Sequence, residues 1–86
     1  MNFRFTRHAL EEMQQRGIPQ ELAERVCTAP EQKIPQLGGR IVHQSRIELE
    51  PGKTYLVRVF IDPSDTPPAV LTAYRTSKIE KYWRTS

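Results

Sequence analysis

Tyr74, Arg75, Thr76 and Lys78 crowd one short stretch near the end of the chain, and their donors suit an anion. Val70-Leu71-Thr72-Ala73-Tyr74-Arg75 reads as a strand, and Thr76 to Trp83 as a short helix. Ser77 followed by Glu80 fits a capping box, in which the Ser hydroxyl meets the N3 amide and the Glu side chain returns to the N-cap amide. The helix is therefore predicted to start at Ser77. Amides at a helix start favour a bound anion, so a phosphate suits the strand-to-helix junction. The structural alternative is that Ile79, Tyr82 and Trp83, at helical spacing, only seal a small core, with Ser77 and Glu80 acting as the cap.

Arg46 and Arg58 are a second pair of phosphate candidates, because planar guanidinium donors can grip two phosphate oxygens at once. Surface ion pairs with Glu48 or Asp62 would explain them equally well and contribute little energy. His8 falls in the first turn of a predicted helix, where the helix dipole opposes an added positive charge and favours the neutral base. It could move a proton, or it could lie idle on a solvated helix end. His43 falls among aliphatic neighbours and reads as a packed polar residue. Cys27 reads as a small core residue on an apolar helix stripe. His8, His43 and Cys27 are not at paired ligand spacings, so no metal is expected. The four glycines form no phosphate loop, and no serine-hydrolase elbow is present. No cofactor is expected.

The 86 residues make one domain, too small to bury a large cofactor. A hydrophobic fraction of 37% with seven Pro and four Gly is that of a compact fold. The net charge of +3 permits nucleic-acid binding without requiring it. Most of the acids precede Pro51, whereas Lys53, Arg58, Arg75, Lys78, Lys81 and Arg84 follow it, so a polyanion should meet the later half. One Cys forms no internal disulfide, and no apolar run reaches membrane-spanning or signal-peptide length, so a cytoplasmic protein without membrane contact is expected.

These residues need elements to position them. Thr6 suits the N-cap of a first helix running to about Arg16, with Ala9, Leu10 and Met13 as its stripe and Gly17 closing it. Pro19 fits the first position of a second helix carrying Leu22, Ala23, Val26 and Cys27. After an irregular stretch in which Gln32-Lys33-Ile34 could form an edge strand, three strands are predicted at roughly 40–49, 54–62 and 69–75. They form an antiparallel meander. Setting Leu49 opposite Tyr55 puts Ile41, Ile47, Val57, Val59 and Ile61 on one face and Val42, Gln44, Arg46, Leu56, Arg58 and Phe60 on the other. The helices should cover the aliphatic face and leave the basic one open.

Phe5-Thr6-Arg7-His8-Ala9-Leu10-Glu11-Glu12-Met13 with Arg16-Gly17-Ile18, the central Tyr55-Leu56-Val57-Arg58-Val59-Phe60 and the closing segment from Thr72 to Tyr82 together resemble a family of small domains of unassigned function. That family is grouped with RelE-like and ParE-like toxins, within the barnase, EndoU, colicin and RelE nuclease superfamily. The Tyr-Arg-Thr-Ser-Lys segment also resembles the Ala-Arg-x-Ala-Thr ending of BrnT-type ribonuclease toxins. The resemblance implies an α+β fold over residues 1–86: a helical hairpin on a three- to four-stranded antiparallel sheet, with a short C-terminal helix. It further implies metal-independent RNA cleavage by the toxin of a type II toxin–antitoxin pair, with RNA, ribosome-associated mRNA included, and an antitoxin as partners. His8 would then be the acid or base, Arg46 and Arg58 the phosphate stabilisers, and Tyr74 and Thr76 positioning groups, with Arg75 and Lys78 adding phosphate contacts. Two other readings compete: a non-catalytic domain docking on a protein, as ParE-like proteins do on gyrase, and RNA binding without cleavage.

Overall fold

The structure, a computed structural model, describes residues 2–85. Its elements run β1 (Arg4–Phe5), α1 (Arg7–Gln15), α2 (Gln20–Thr28), β2 (Gln32–Pro35), β3 (Ile41–Glu50), β4 (Lys53–Asp62), β5 (Ala69–Thr76) and α3 (Ile79–Tyr82). The strands form one five-stranded sheet in the order β1-β5-β4-β3-β2. This is an α+β fold, but the expected three- to four-stranded antiparallel sheet is wrong, because β1 pairs parallel to β5 through Arg4↔Ala69 and Phe5↔Val70. Two residues are too few to show any alternation in a sequence, so β1 leaves no pattern to find.

The helical hairpin forms for the local reasons its sequence carries. Thr6 Oγ1 accepts the Ala9 amide at 3.0 Å, as an N-cap hydroxyl should. Gly17 takes φ +68° after α1, a conformation that costs glycine least. Ala9, Met13, Leu22, Ala23, Val26 and Cys27 then bury their stripes against Val57, Val59, Ile61, Val70 and Ala73. Burial pushes the Cys27 thiol up to about 12, which leaves it a core residue without thiolate character. His43 packs on the same side and donates from Nδ1 to the Cys27 carbonyl at 2.9 Å.

The predicted register between β3 and β4 is off by two residues. Ile47, rather than Leu49, faces Tyr55, and Glu50 pairs with Lys53 around Pro51-Gly52, with a bulge between Glu48 and Glu50 absorbing Leu49. A shift of two keeps the parity, so the two faces hold the expected sets. The second face is not open, however. Val42, Gln44 and Leu56 are fully buried there, and Arg58 is only 7% exposed. The chain from Ile79 onward folds back across it, through contacts of Tyr82, Trp83 and Arg84 with β2, β3 and β4. The central strand β4 is thus covered on both sides.

The capping box does not form. The strand continues through Thr76, whose hydroxyl accepts the Lys78 amide at 3.0 Å and turns the chain. The last helix starts at Ile79, and its N-cap, Lys78, makes no side-chain cap bond.

Candidate functional site

Arg58 is the charge around which the site is built. Strand pairing sets Gln44 on one side of it and Tyr74 on the other. Its Nε donates to Gln44 Oε1 at 2.8 Å, and Nη1 donates to the Tyr74 hydroxyl at 2.9 Å. The guanidinium lies 4.3 Å from the Tyr82 ring centroid and 5.5 Å from that of Phe60. Gln44 is itself held, since its Nε2 donates to Gln32 Oε1 at 2.8 Å and to the Tyr82 carbonyl at 3.2 Å. Every group around Arg58 is neutral, and among the described residues no carboxylate pairs with it. Its Nη2 has no protein acceptor, yet no side-chain polar atom among the described residues is both buried and unpaired. Nη2 therefore reaches the surface as a free donor.

Tyr74 links this charge to the rim of the sheet. Its oxygen accepts from Arg58, which leaves its own proton to donate. Its ring stacks on Phe60 at 6.0 Å and meets Tyr82 edge-on at 6.2 Å. Burial raises the Tyr74 hydroxyl above the usual phenol range, while a hydrogen bond with Tyr74, then Lys81 and Arg58, lower Tyr82. Tyr82 is thus the phenol that ionises first.

The neighbouring Arg75 points to the other face, where its guanidinium lies 4.9 Å from the Tyr55 ring centroid. One of its terminal nitrogens sits 3.9 Å from where a Gly17 Cβ would stand, room that the helical hairpin leaves by having glycine there. Among the described residues Arg75 makes no ion pair, and no side-chain hydrogen bond engages it. Tyr74 and Arg75 line a cavity of about 640 Å³ with Gln14, Gln15, Arg16 and Gly17. Arg16 differs from its neighbours there, because Nη2 is paired with Glu12 at 3.3 Å and Nη1 donates to the Ala73 carbonyl at 3.0 Å.

The predicted site residues therefore separate. Arg58 and Tyr74 come together on one face, while Arg75, on the opposite face, joins Tyr74 only in lining the cavity. Arg46 shares the face of Arg58 but grips Glu31 with both Nε and Nη2 at 3.0 Å and stacks on Trp83 at 4.1 Å, so its charge is already partnered. That pairing holds Glu31 below the usual carboxylate range. Thr76 spends its hydroxyl on the Lys78 turn, and Lys78 is exposed.

His8 lies on the helix side of the sheet, with its Nε2 3.1 Å from Glu12 Oε1. The Thr6 amide bonds the Val70 carbonyl at 3.1 Å, which fixes the start of α1 beside the start of β5 rather than its end at Tyr74. Glu12, hydrogen-bonded by the Thr72 hydroxyl and then attracted by Arg16 and His8, is held below the usual carboxylate range. His8 thus makes no hydrogen bond or ion pair with Arg58, Tyr74 or Arg75; its partner Glu12 is bonded to Thr72, two residues before Tyr74 on β5.

Sequence reasoning missed Gln44 and Tyr82 as parts of the site. Strand alternation puts Gln44 on the same face as Arg58, which is the available signal; Tyr82 enters the sequence reading only in the alternative in which it seals a small core. Among the described residues, no three His, Cys, Asp or Glu side chains gather where they could hold a metal. Compared with protein-family models, curated proteins and solved structures, the chain gives no match, and its likeness to RelE-like toxins rests on the quoted residues alone.

Proposed function

We propose that this chain binds RNA phosphates at the Arg58–Tyr74–Arg75 cluster and cleaves the backbone without a metal ion. The observation that carries the reading is a pair of guanidiniums, fixed by stacking and neutral hydrogen bonds, that have no acidic partner among the described residues and flank one tyrosine. A buried charge is costly without a counter-charge, and a phosphate supplies one. The ribose 2′-oxygen attacks phosphorus, Arg58 stabilises the phosphorane charge, Tyr74 gives its proton to the leaving 5′-oxygen, and Arg75 holds a neighbouring phosphate in the cavity beyond Tyr74. Solvent hydroxide takes the 2′-hydroxyl proton, since no imidazole or carboxylate among the described residues hydrogen-bonds the cluster. The products are a 2′,3′-cyclic phosphate and a 5′-hydroxyl. In the cell, this activity belongs to the toxin of a toxin–antitoxin pair.

The test incubates end-labelled single-stranded RNA with the purified chain and a chelator. Cyclic phosphate ends are expected, with a rate that rises with pH as hydroxide takes up the 2′-hydroxyl proton. Arg58→Ala should slow cleavage by about a hundredfold or more, the scale of losing a preorganised donor to the transition state. Strict metal dependence or linear phosphate ends would overturn the mechanism. A second reading, RNA binding without cleavage, is favoured by the finding that no imidazole or carboxylate hydrogen-bonds Arg58, Tyr74 or Arg75 among the described residues. RNA that binds but stays intact would select it.

A further inference from the structure

The residues that hold the C-terminal segment are the ones a single-stranded RNA would use. Tyr82 occupies the face of the Arg58 guanidinium, Trp83 occupies that of Arg46, and the Tyr82 carbonyl takes a donor of Gln44. A guanidinium plane against a flat ring is also how proteins hold unstacked nucleobases, and aromatic rings such as Phe60 extend such a platform. Leu56 and Val42, both fully buried, share this sheet face with Arg46 and Arg58.

The segment itself is weakly built. Its helix is one turn with no buried residue and no side-chain cap. Beyond Tyr82 and Trp83 it is moored by Gln32, whose Nε2 donates to the Arg84 carbonyl at 2.6 Å and whose Oε1 accepts the Arg84 amide at 3.1 Å. Few contacts and one short turn mark a segment that opens at low cost.

Resting on the reading of the Arg58–Tyr74–Arg75 cluster as a phosphate site, we propose that residues 79–85 are a gate. Tyr82 and Trp83 stand where nucleobases stack on Arg58 and Arg46, and RNA gains the sheet face by displacing them. The phosphate cavity on the far side of Tyr74 stays open in both states. Full engagement of RNA thus requires the chain to release its own end.

The experiment measures binding of a fluorescent uridine oligonucleotide and, separately, of inorganic polyphosphate, which carries charge without bases. A chain ending at Lys78 and the Gln32→Ala variant should bind the oligonucleotide about tenfold and a few-fold more tightly, while polyphosphate binding stays unchanged. A Gln32→Cys/Arg84→Cys chain, oxidised to a disulfide, should bind the oligonucleotide more weakly than when reduced; Cys27, at 2% exposure, is kept from the exchange. Equal binding by the oxidised and reduced forms would overturn the gate, even if the shortened chain fails to fold. Weaker binding by a folded shortened chain would also overturn it, by making the segment part of the binding site. Loss of the polyphosphate signal in every form, or its indifference to Arg75→Ala, would instead overturn the phosphate reading, and the gate with it.

Discussion

Arg58 and His43 show two ways in which a polar side chain is kept inside a small protein. Arg58 keeps its charge by surrounding itself with a carbonyl oxygen, a phenol oxygen and ring faces. His43 gives its charge up: burial lowers its pKa below the ordinary 6.5, and a neutral ring donates to the Cys27 carbonyl. An unfolded His43 takes a proton as pH falls through 6.5, whereas the folded one resists until lower pH. Stability is therefore complete above 6.5 and is lost as pH falls from there toward the folded value. Glu12 and Glu31 act further down. Their contribution is present above 4.5 and is lost as pH falls through their depressed values. Melting temperature should fall in two stages on acidification, and His43→Gln should remove the first while leaving the second. A single stage in the parent chain would refute this assignment of His43.

The elements differ in how much of them can be read from sequence. The helical hairpin and the three long strands carry periodic apolar residues, caps and a positive-φ glycine, so local physics specifies them. Parity in β3 and β4 survived a wrong register for the same reason, since alternation fixes the face but not the turn length. What eluded sequence was non-local. The return of the C-terminal segment depends on Gln32 meeting Arg84 and on Arg46 choosing Glu31 over nearer acids, neither of which leaves a periodic trace. That return gives β4 a second buried side, and Leu56 measures it. Leu56→Ala should cost about 2–5 kcal/mol, as for a buried leucine, whereas a solvent-facing strand position would lose well under 1 kcal/mol. Denaturant unfolding distinguishes the two, and a small loss would mean that the segment does not close over the face.

At the scale of the whole molecule, charge and topology both divide the chain. Glu11, Glu12, Glu21 and Glu24 are carried by the two long helices, while Arg58 and Arg75 belong to the strands that follow Pro51. Binding of single-stranded RNA should accordingly weaken with salt, each phosphate contact adding about 0.7 to the slope of log K against log salt. Arg75→Ala should reduce that slope by about one such step, and Arg7→Ala, on the helix side, should leave it unchanged. Equal effects would make the attraction diffuse rather than local. Topology divides the chain differently, since β1 joins the sheet only beside β5 and α1 packs on that same late strand. Loops this long close slowly compared with local turns. During synthesis, Arg4 and Phe5 therefore have no lasting strand partner until Ala69 and Val70 have been added, so a ribosome must release both segments before they can be tied into one sheet.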